Sequence, residues 1–136
     1  MKLPQLDLVY VSFAIFLVAT AYQYMKPKGP RNYTSVKVAE AYDLMKENRD
    51  VYILDVRMRN EYRKGHLRNA KNIPLGDVDK RLSKIPRNSE VLVYCRNGAR
   101  SVRAIRRLEV AGYTNLYHMY EGYRGWKKAD HPTTER

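Results

Sequence analysis

The only cysteine of this 136-residue chain, Cys95, ends the apolar run VLVY and opens the segment CRNGARS. A thiol is a weak nucleophile until it ionises, and a free cysteine is only a few per cent thiolate near neutral pH. The neighbouring residue types favour the anion. Arg96 and Arg100 place positive charge on either side of Asn97, Gly98 and Ala99, and Gly98 supplies the backbone freedom of a tight loop. A helix is expected to begin near Ser101. Loop N–H groups and a helix N-terminus would then converge on one anion cradle. Cys95 is the candidate nucleophile, and Arg96, Asn97, Gly98, Ala99, Arg100 and Ser101 are the candidate binding loop. The same spacing also fits a buried structural cysteine that simply finishes an apolar strand.

The elements that would position this loop follow from periodicity. VYILDV (51–56) and EVLVYC (90–95) are short, unalternating, β-branched runs, the pattern of strands buried on both faces. After the loop, Val102, Ala104, Ile105, Leu108 and Ala111 form an apolar helical stripe, with Arg103, Arg106 and Arg107 facing away and Gly112 ending the helix. Upstream, Ser35 is the expected N-cap of a helix whose Val38, Ala41, Tyr42 and Met45 share one face. RNEYRKG supplies a turn or two of helix closing at Gly65, AKNIP a short strand, and LGDVDKRLSKI a helix stopped by Pro86. NLYHMY is the expected last strand and YRGWKKA the last helix, with Trp126 in the core. Strands alternating with helices predict an α/β fold, a parallel β-sheet flanked by helices on both faces. Such sheets bind ligands beyond the carboxyl ends of their strands, where Cys95 would sit.

A separate segment precedes this pattern. Leu8 to Met25 is an uncharged run of 18 residues, and a bilayer-spanning helix needs roughly 17–25. Tyr10, Tyr22 and Tyr24 lie toward its ends, as aromatic residues do at membrane interfaces. Residues 1–25 are therefore expected to be a membrane anchor, spanning with residues 6–25, and residues 26–33 a basic Pro/Gly linker. Lys26, Lys28 and Arg31 follow the run, whereas Lys2 before it is offset by Asp7, which places the remainder of the chain in the cytoplasm. Two other readings exist: a secretory signal peptide cleaved near Ala19-Thr20-Ala21, with export, or a buried soluble helix. The basic flank downstream argues against cleavage.

A net charge of +12 favours anionic partners, whether nucleic acid, an acidic membrane surface or small anions. No basic-and-aromatic nucleic-acid motif is present, so nucleic acid is not expected. Arg103, Arg106 and Arg107 make a solvated helix face suited to anionic lipid headgroups. A single cysteine excludes a disulfide framework and a CxxC pair, and His66, His118 and His131 are too scattered to bind a metal with it. Neither a metal nor a cofactor is expected.

From residue 34 to 132 the chain resembles the rhodanese domain, the single-domain thiosulfate sulfurtransferases. The stretch ILDVRMRNEYRKGHLRNAKNIPL is similar to that family's first signature, VLVYCRNGARS to its six-residue active-site loop, and LEVAGYTNLYHMYEGYRGWKKADHP to its C-terminal signature. Residues 133–136 are then a tail. The resemblance implies a rhodanese-like fold and a double displacement. Cys95 would take the sulfane sulfur of thiosulfate, release sulfite, and pass the sulfur from a persulfide to cyanide, a thiol or another protein. Loop amides from Arg96 to Ser101 would hold the persulfide, and Arg96 and Arg100 the anionic substrate. Asp55, Arg57, Glu61 and His66 belong to the first signature and are expected to be structural, hydrogen-bonding one another to fix the loops. With one cysteine in the chain, the acceptor comes from outside.

Two rivals are weighed against this. A cysteine phosphatase or arsenate reductase uses a related cradle, but a phosphatase loop has five residues between cysteine and arginine, and only four separate Cys95 from Arg100. A non-catalytic, membrane-anchored rhodanese-like binding module is the other; the retained cysteine and complete loop speak against it.

Overall fold

The computed structural model describes residues 7–25 and 32–135. The chain divides into two compact units, Met1–Arg31 and Asn32–Arg136. In the first, α1 (Leu8–Met25) is an 18-residue helix with every residue exposed, long and apolar enough to cross a membrane. Lys2 and the predicted linker residues 26–31 lie outside the described residues.

In the second unit a five-stranded sheet runs in the order β1 (Tyr33–Val36), β6 (Leu116–Met119), β5 (Val91–Tyr94), β2 (Tyr52–Asp55), β4 (Lys71–Asn72), and every neighbouring pair is parallel. Parallel pairing demands crossovers, and α2 (Val38–Glu47) lies between β1 and β2, α3 (Arg59–Arg63) between β2 and β4, and α4 (Ala99–Val110) between β5 and β6, while α5 (Gly122–Lys128) follows β6. One face of the sheet presents Leu54, Val91, Val93, Cys95 and Leu116 to Ala104, Ile105 and Leu108 of α4. The other presents Ile53, Leu92, Tyr94 and Met119 to Val38 and Ala41 of α2 and Trp126 of α5. Side chains alternate along a strand, so the adjacent residues Tyr94 and Cys95 serve opposite faces. Complete burial of a side chain such as Leu54 or Ile105 is worth about 1.5–3 kcal/mol. Covering both faces explains why the strands carry no polar alternation.

Four local expectations differ from the structure. Ser35 is not an N-cap; it lies in β1 opposite His118, and the helix begins at Val38. The local pattern missed this because both partners are remote: β1 pairs with β6, and the Val38 N–H is capped by the Glu121 carboxylate at 3.0 Å. Residues 75–85 form not one α-helix but two short 3₁₀ stretches, Leu75–Asp77 and Asp79–Lys84, the second broken at Arg81. Burying Val78 and Ile85 takes precedence over helical continuity there. Arg107 does not face away with Arg103 and Arg106; its guanidinium donates to the Leu75 carbonyl at 2.8 Å. Finally, Thr133 and Thr134, assigned to the tail, form β7, which pairs antiparallel with β3 (His66–Leu67).

Candidate active site

At the carboxyl end of β5 the chain turns sharply. Gly98 sits at the N-terminus of α4 with φ of 92°, a left-handed conformation that side chains disfavour. That turn folds the loop back over the thiol. Cys95 is fully buried, and its Sγ accepts from the Gly98 N–H at 3.1 Å and the Ser101 N–H at 3.3 Å. The Ser101 hydroxyl lies 3.3 Å from the same sulfur. Asn97 is exposed, and its side chain accepts from the Ala99 N–H, which steadies the turn. From the opposite side, Tyr123 and Arg124 donate backbone N–H groups to the carbonyls of Cys95 and Arg96 at 2.8 and 3.0 Å. Gly122 makes this approach possible: with φ of 66°, a Cβ there would run into the Cys95 and Arg96 carbonyls.

Sequence reasoning missed the next residue. His118 on β6 is buried, with Nε2 2.7 Å from the Ser101 hydroxyl. Burial lowers its pKa, opposed by a hydrogen bond to the Gly98 carbonyl. His118 stands opposite Val93, two residues before Cys95 on the neighbouring strand, which puts it on the same sheet face as the thiol. Only the strand order β6–β5 reveals this, and a single sequence carries no signal for it.

The signature residues form a second cluster on the other face. Asp55 accepts from the Arg57 guanidinium at 2.7 Å and from the Tyr94 hydroxyl at 2.7 Å, with all three side chains buried. Arg57 also donates to the Gly65 carbonyl at 2.7 Å and lies 4.1 Å from the Tyr123 ring centre. Burial, and then the Asp55 charge, push the Tyr94 hydroxyl pKa well up. Burial works to lower the Arg57 pKa, and its hydrogen bonds and charge pairing with Asp55 more than offset that. His66 is buried against Tyr62, stacked on its ring, with Nδ1 2.8 Å from the Tyr62 carbonyl.

Arg100, expected at the substrate, is joined to Glu61 by two bonds of 2.7 and 2.9 Å. Those bonds hold the Glu61 carboxyl at about 2, well below the ordinary range. Glu61 of this pair lines an open cavity of about 430 Å³ beside the loop, walled also by Arg57, Tyr123 and four further cations, Lys64, Arg96, Arg124 and Lys127. Those four form no ion pair among the described residues. A larger cavity of about 630 Å³ follows β4 past His66, Arg68 and Lys71, and no loop residue lines it. Chemically, the loop offers a thiol surrounded by donors and bordered by unneutralised positive charge, an arrangement suited to a sulfur nucleophile that attacks anions.

Comparison with known proteins accords with this geometry. The rhodanese-like domain profile matches residues 37–129. The chain is 32% identical over 103 residues to thiosulfate sulfurtransferase GlpE of Coxiella burnetii, covering 76% of this chain and 94% of that one. It is 30% identical over 119 residues to the uncharacterized protein YqhL of Bacillus subtilis, covering 88% of each. The crystal structure of a rhodanese-related protein from Thermoplasma volcanium superposes with a TM-score of 0.69 at 27% identity, over 76% of this chain and all of the other. This chain belongs to the rhodanese-like domain family.

Proposed function

We propose that the protein is a thiosulfate sulfurtransferase working through a Cys95 persulfide, with residues 34–132 as its catalytic unit. The Cys95 thiolate attacks the outer sulfur of thiosulfate. The S–S bond of thiosulfate breaks, sulfite leaves with the bonding pair, and the cysteine carries the sulfane sulfur. A thiolate or cyanide then attacks that outer sulfur, and the Cys95 thiolate departs unchanged. The observation that carries this reading is the convergence of two backbone N–H groups and one hydroxyl on a single sulfur. Donors fixed in place stabilise the thiolate and the persulfide without reorganising during reaction.

Thiosulfate carries two negative charges, and the unpaired cations beside the loop suit it. Arg96, exposed and next to the nucleophile, makes the direct contact. Arg100, engaged by Glu61, contributes charge and holds the loop. The cavity is larger than thiosulfate needs, so a small thiol or the tip of a protein acceptor can approach by the same route.

The test is intact-mass analysis of the full chain in detergent before and after thiosulfate, with sulfite measured in parallel. One added sulfur, removed by cyanide as thiocyanate, is the expected result. An unchanged mass with no sulfite released would overturn the assignment.

We further infer that α1 anchors the protein, with the rhodanese domain on the cytoplasmic side. Its uncharged, exposed surface and the Lys26, Lys28 and Arg31 that follow it in the sequence support this. The protein is then expected in the membrane fraction after alkaline extraction, and cleaved by protease in inverted vesicles but not in intact cells. Extraction into the soluble fraction would remove the anchor, and cleavage in intact cells would reverse the orientation.

A further inference from the structure

The Ser101 hydroxyl has one proton and more claims on it than it can meet. Its oxygen lies 3.1 Å from the Gly98 carbonyl, 3.3 Å from Cys95 Sγ and 2.7 Å from His118 Nε2. A carbonyl and a thiolate can only accept, whereas an imidazole nitrogen can accept or donate. The direction of the shortest contact therefore decides the others. If Nε2 accepts, the hydroxyl proton turns away from the sulfur, leaving it two amide donors. If Nε2 carries the proton, the hydroxyl receives from the imidazole and is free to donate to the sulfur.

Two features favour the second arrangement. His118 is buried, which favours the neutral ring, so a single proton is shared between its two nitrogens. The acceptor-only groups around the hydroxyl likewise leave His118 as the neighbour able to supply it with a donor once the thiol has ionised.

We propose that His118 is a positioning residue for the reaction: by donating its Nε2–H to Ser101, it aims the serine hydroxyl at Cys95 and completes a third hydrogen bond to the sulfur anion. The relay lies entirely on the α4 face of the sheet, buried at all three residues. A chain of aligned hydrogen bonds in a low-dielectric interior strengthens each member, so an exchange at His118 is felt at the thiol. The titratable and charged groups facing the relay are Tyr33 of β1, whose ring meets His118 edge-on at 5.9 Å, and Arg100 of α4, which acts on Cys95 while held by Glu61.

This inference deepens the sulfurtransferase reading, yet its test does not depend on turnover. The ultraviolet absorbance of the thiolate in the full chain, titrated against a Cys95→Ser blank, reports on one sulfur alone. His118→Leu is expected to raise the titration midpoint by about one pH unit, a tenfold loss of thiolate below it. His118→Gln, whose side-chain N–H2 can reach the hydroxyl, is expected to restore most of the shift. Ser101→Ala should match His118→Leu, and the double variant should add nothing to either, since both remove one path. In kinetics, kcat/KM for thiosulfate in His118→Leu should fall about tenfold at low pH and recover above the new midpoint. His118→Asn, too short to reach Ser101, replaces His118→Leu if the apolar side chain prevents folding. An unshifted midpoint in the folded variants, or shifts that sum in the double variant, would overturn the relay. A moved midpoint without sulfur transfer would uphold the relay and overturn the proposed function.

Discussion

Two polar clusters lie at the same sheet edge, on opposite faces, and they differ in how their charges are matched. On the α2/α5 face, Asp55 binds Arg57 and Tyr94, and Arg57 also binds the Gly65 carbonyl. Each strong donor there has a strong acceptor. On the α4 face, Gly98 and Ser101 direct their polar groups toward one small sulfur, and His118 contacts the serine hydroxyl behind it. Among the described residues no carboxylate joins that cluster, and the nearby Glu61 is paired with Arg100. A closed ion pair fixes geometry, whereas an excess of donors around a nucleophile waits for an anion. Adjacent residues, Tyr94 and Cys95, belong to these two designs.

The largest separation between the clusters is expected from Cys95→Ser. Serine preserves the loop contacts but lacks an accessible anion, so sulfur transfer should fall by at least about a thousandfold, with the melting temperature nearly unchanged. Residual turnover at the parent rate would remove Cys95 from the chemistry.

Asp55→Ala should do the reverse. It leaves the Arg57 cation buried without its partner, a loss of about 3–5 kcal/mol, read as an earlier urea midpoint. The thiolate titration of the molecules still folded should not move, because Asp55 serves the opposite face. A shifted thiol midpoint in this variant would show the clusters to be coupled and weaken the division drawn between them.

Gly122 tests the seam where the faces meet. Its φ of 66° and its closeness to the Cys95 and Arg96 carbonyls leave no space for a methyl group. Gly122→Ala must push α5 away from the loop, and strain of this kind costs about 1–3 kcal/mol. Both stability and turnover should drop, unlike either single-face variant. A fully active Gly122→Ala would mean that the loop needs no support from α5.

The parts legible in the sequence were those set by local chemistry. Buried strands at 51–56 and 90–95, the stripe of α4, and Cys95 with its glycine-bearing loop follow from residue type and spacing alone. What was not legible depends on long-range pairing. Ser35 has the composition of a cap but serves as a strand residue, because β6 is there to receive it. His118 looks like an isolated histidine until the order β6–β5 brings it behind Ser101. Arg100, between a cysteine loop and an apolar helix, looks like a free substrate ligand, and nothing local announces that Glu61, 39 residues earlier, takes two of its nitrogens. The cations of the neighbouring cavity come from the α3 end, the loop and α5, so their convergence too is a property of the fold.

Glu61–Arg100 stands between the two designs, a closed pair at the rim of the open site, and it offers the smallest effect. Its side chains remain 27% and 30% exposed, so solvent screens the pair and its worth is about 1 kcal/mol. A carboxylate with a depressed folded pKa stabilises the protein fully above its ordinary value, and this is lost as pH falls toward the folded value. For Glu61 that window runs from 4.5 down to about 2. In Glu61→Gln, stability at neutral pH should drop by about 1 kcal/mol, and the difference from the parent should vanish through that window. The freed Arg100 would join the positive wall beside the loop, so KM for thiosulfate should fall modestly while kcat holds or declines as the loop loosens. An identical acid limb in parent and variant would show that the pair adds nothing to stability. A raised KM would show that Arg100 aids the substrate only while Glu61 holds it in place.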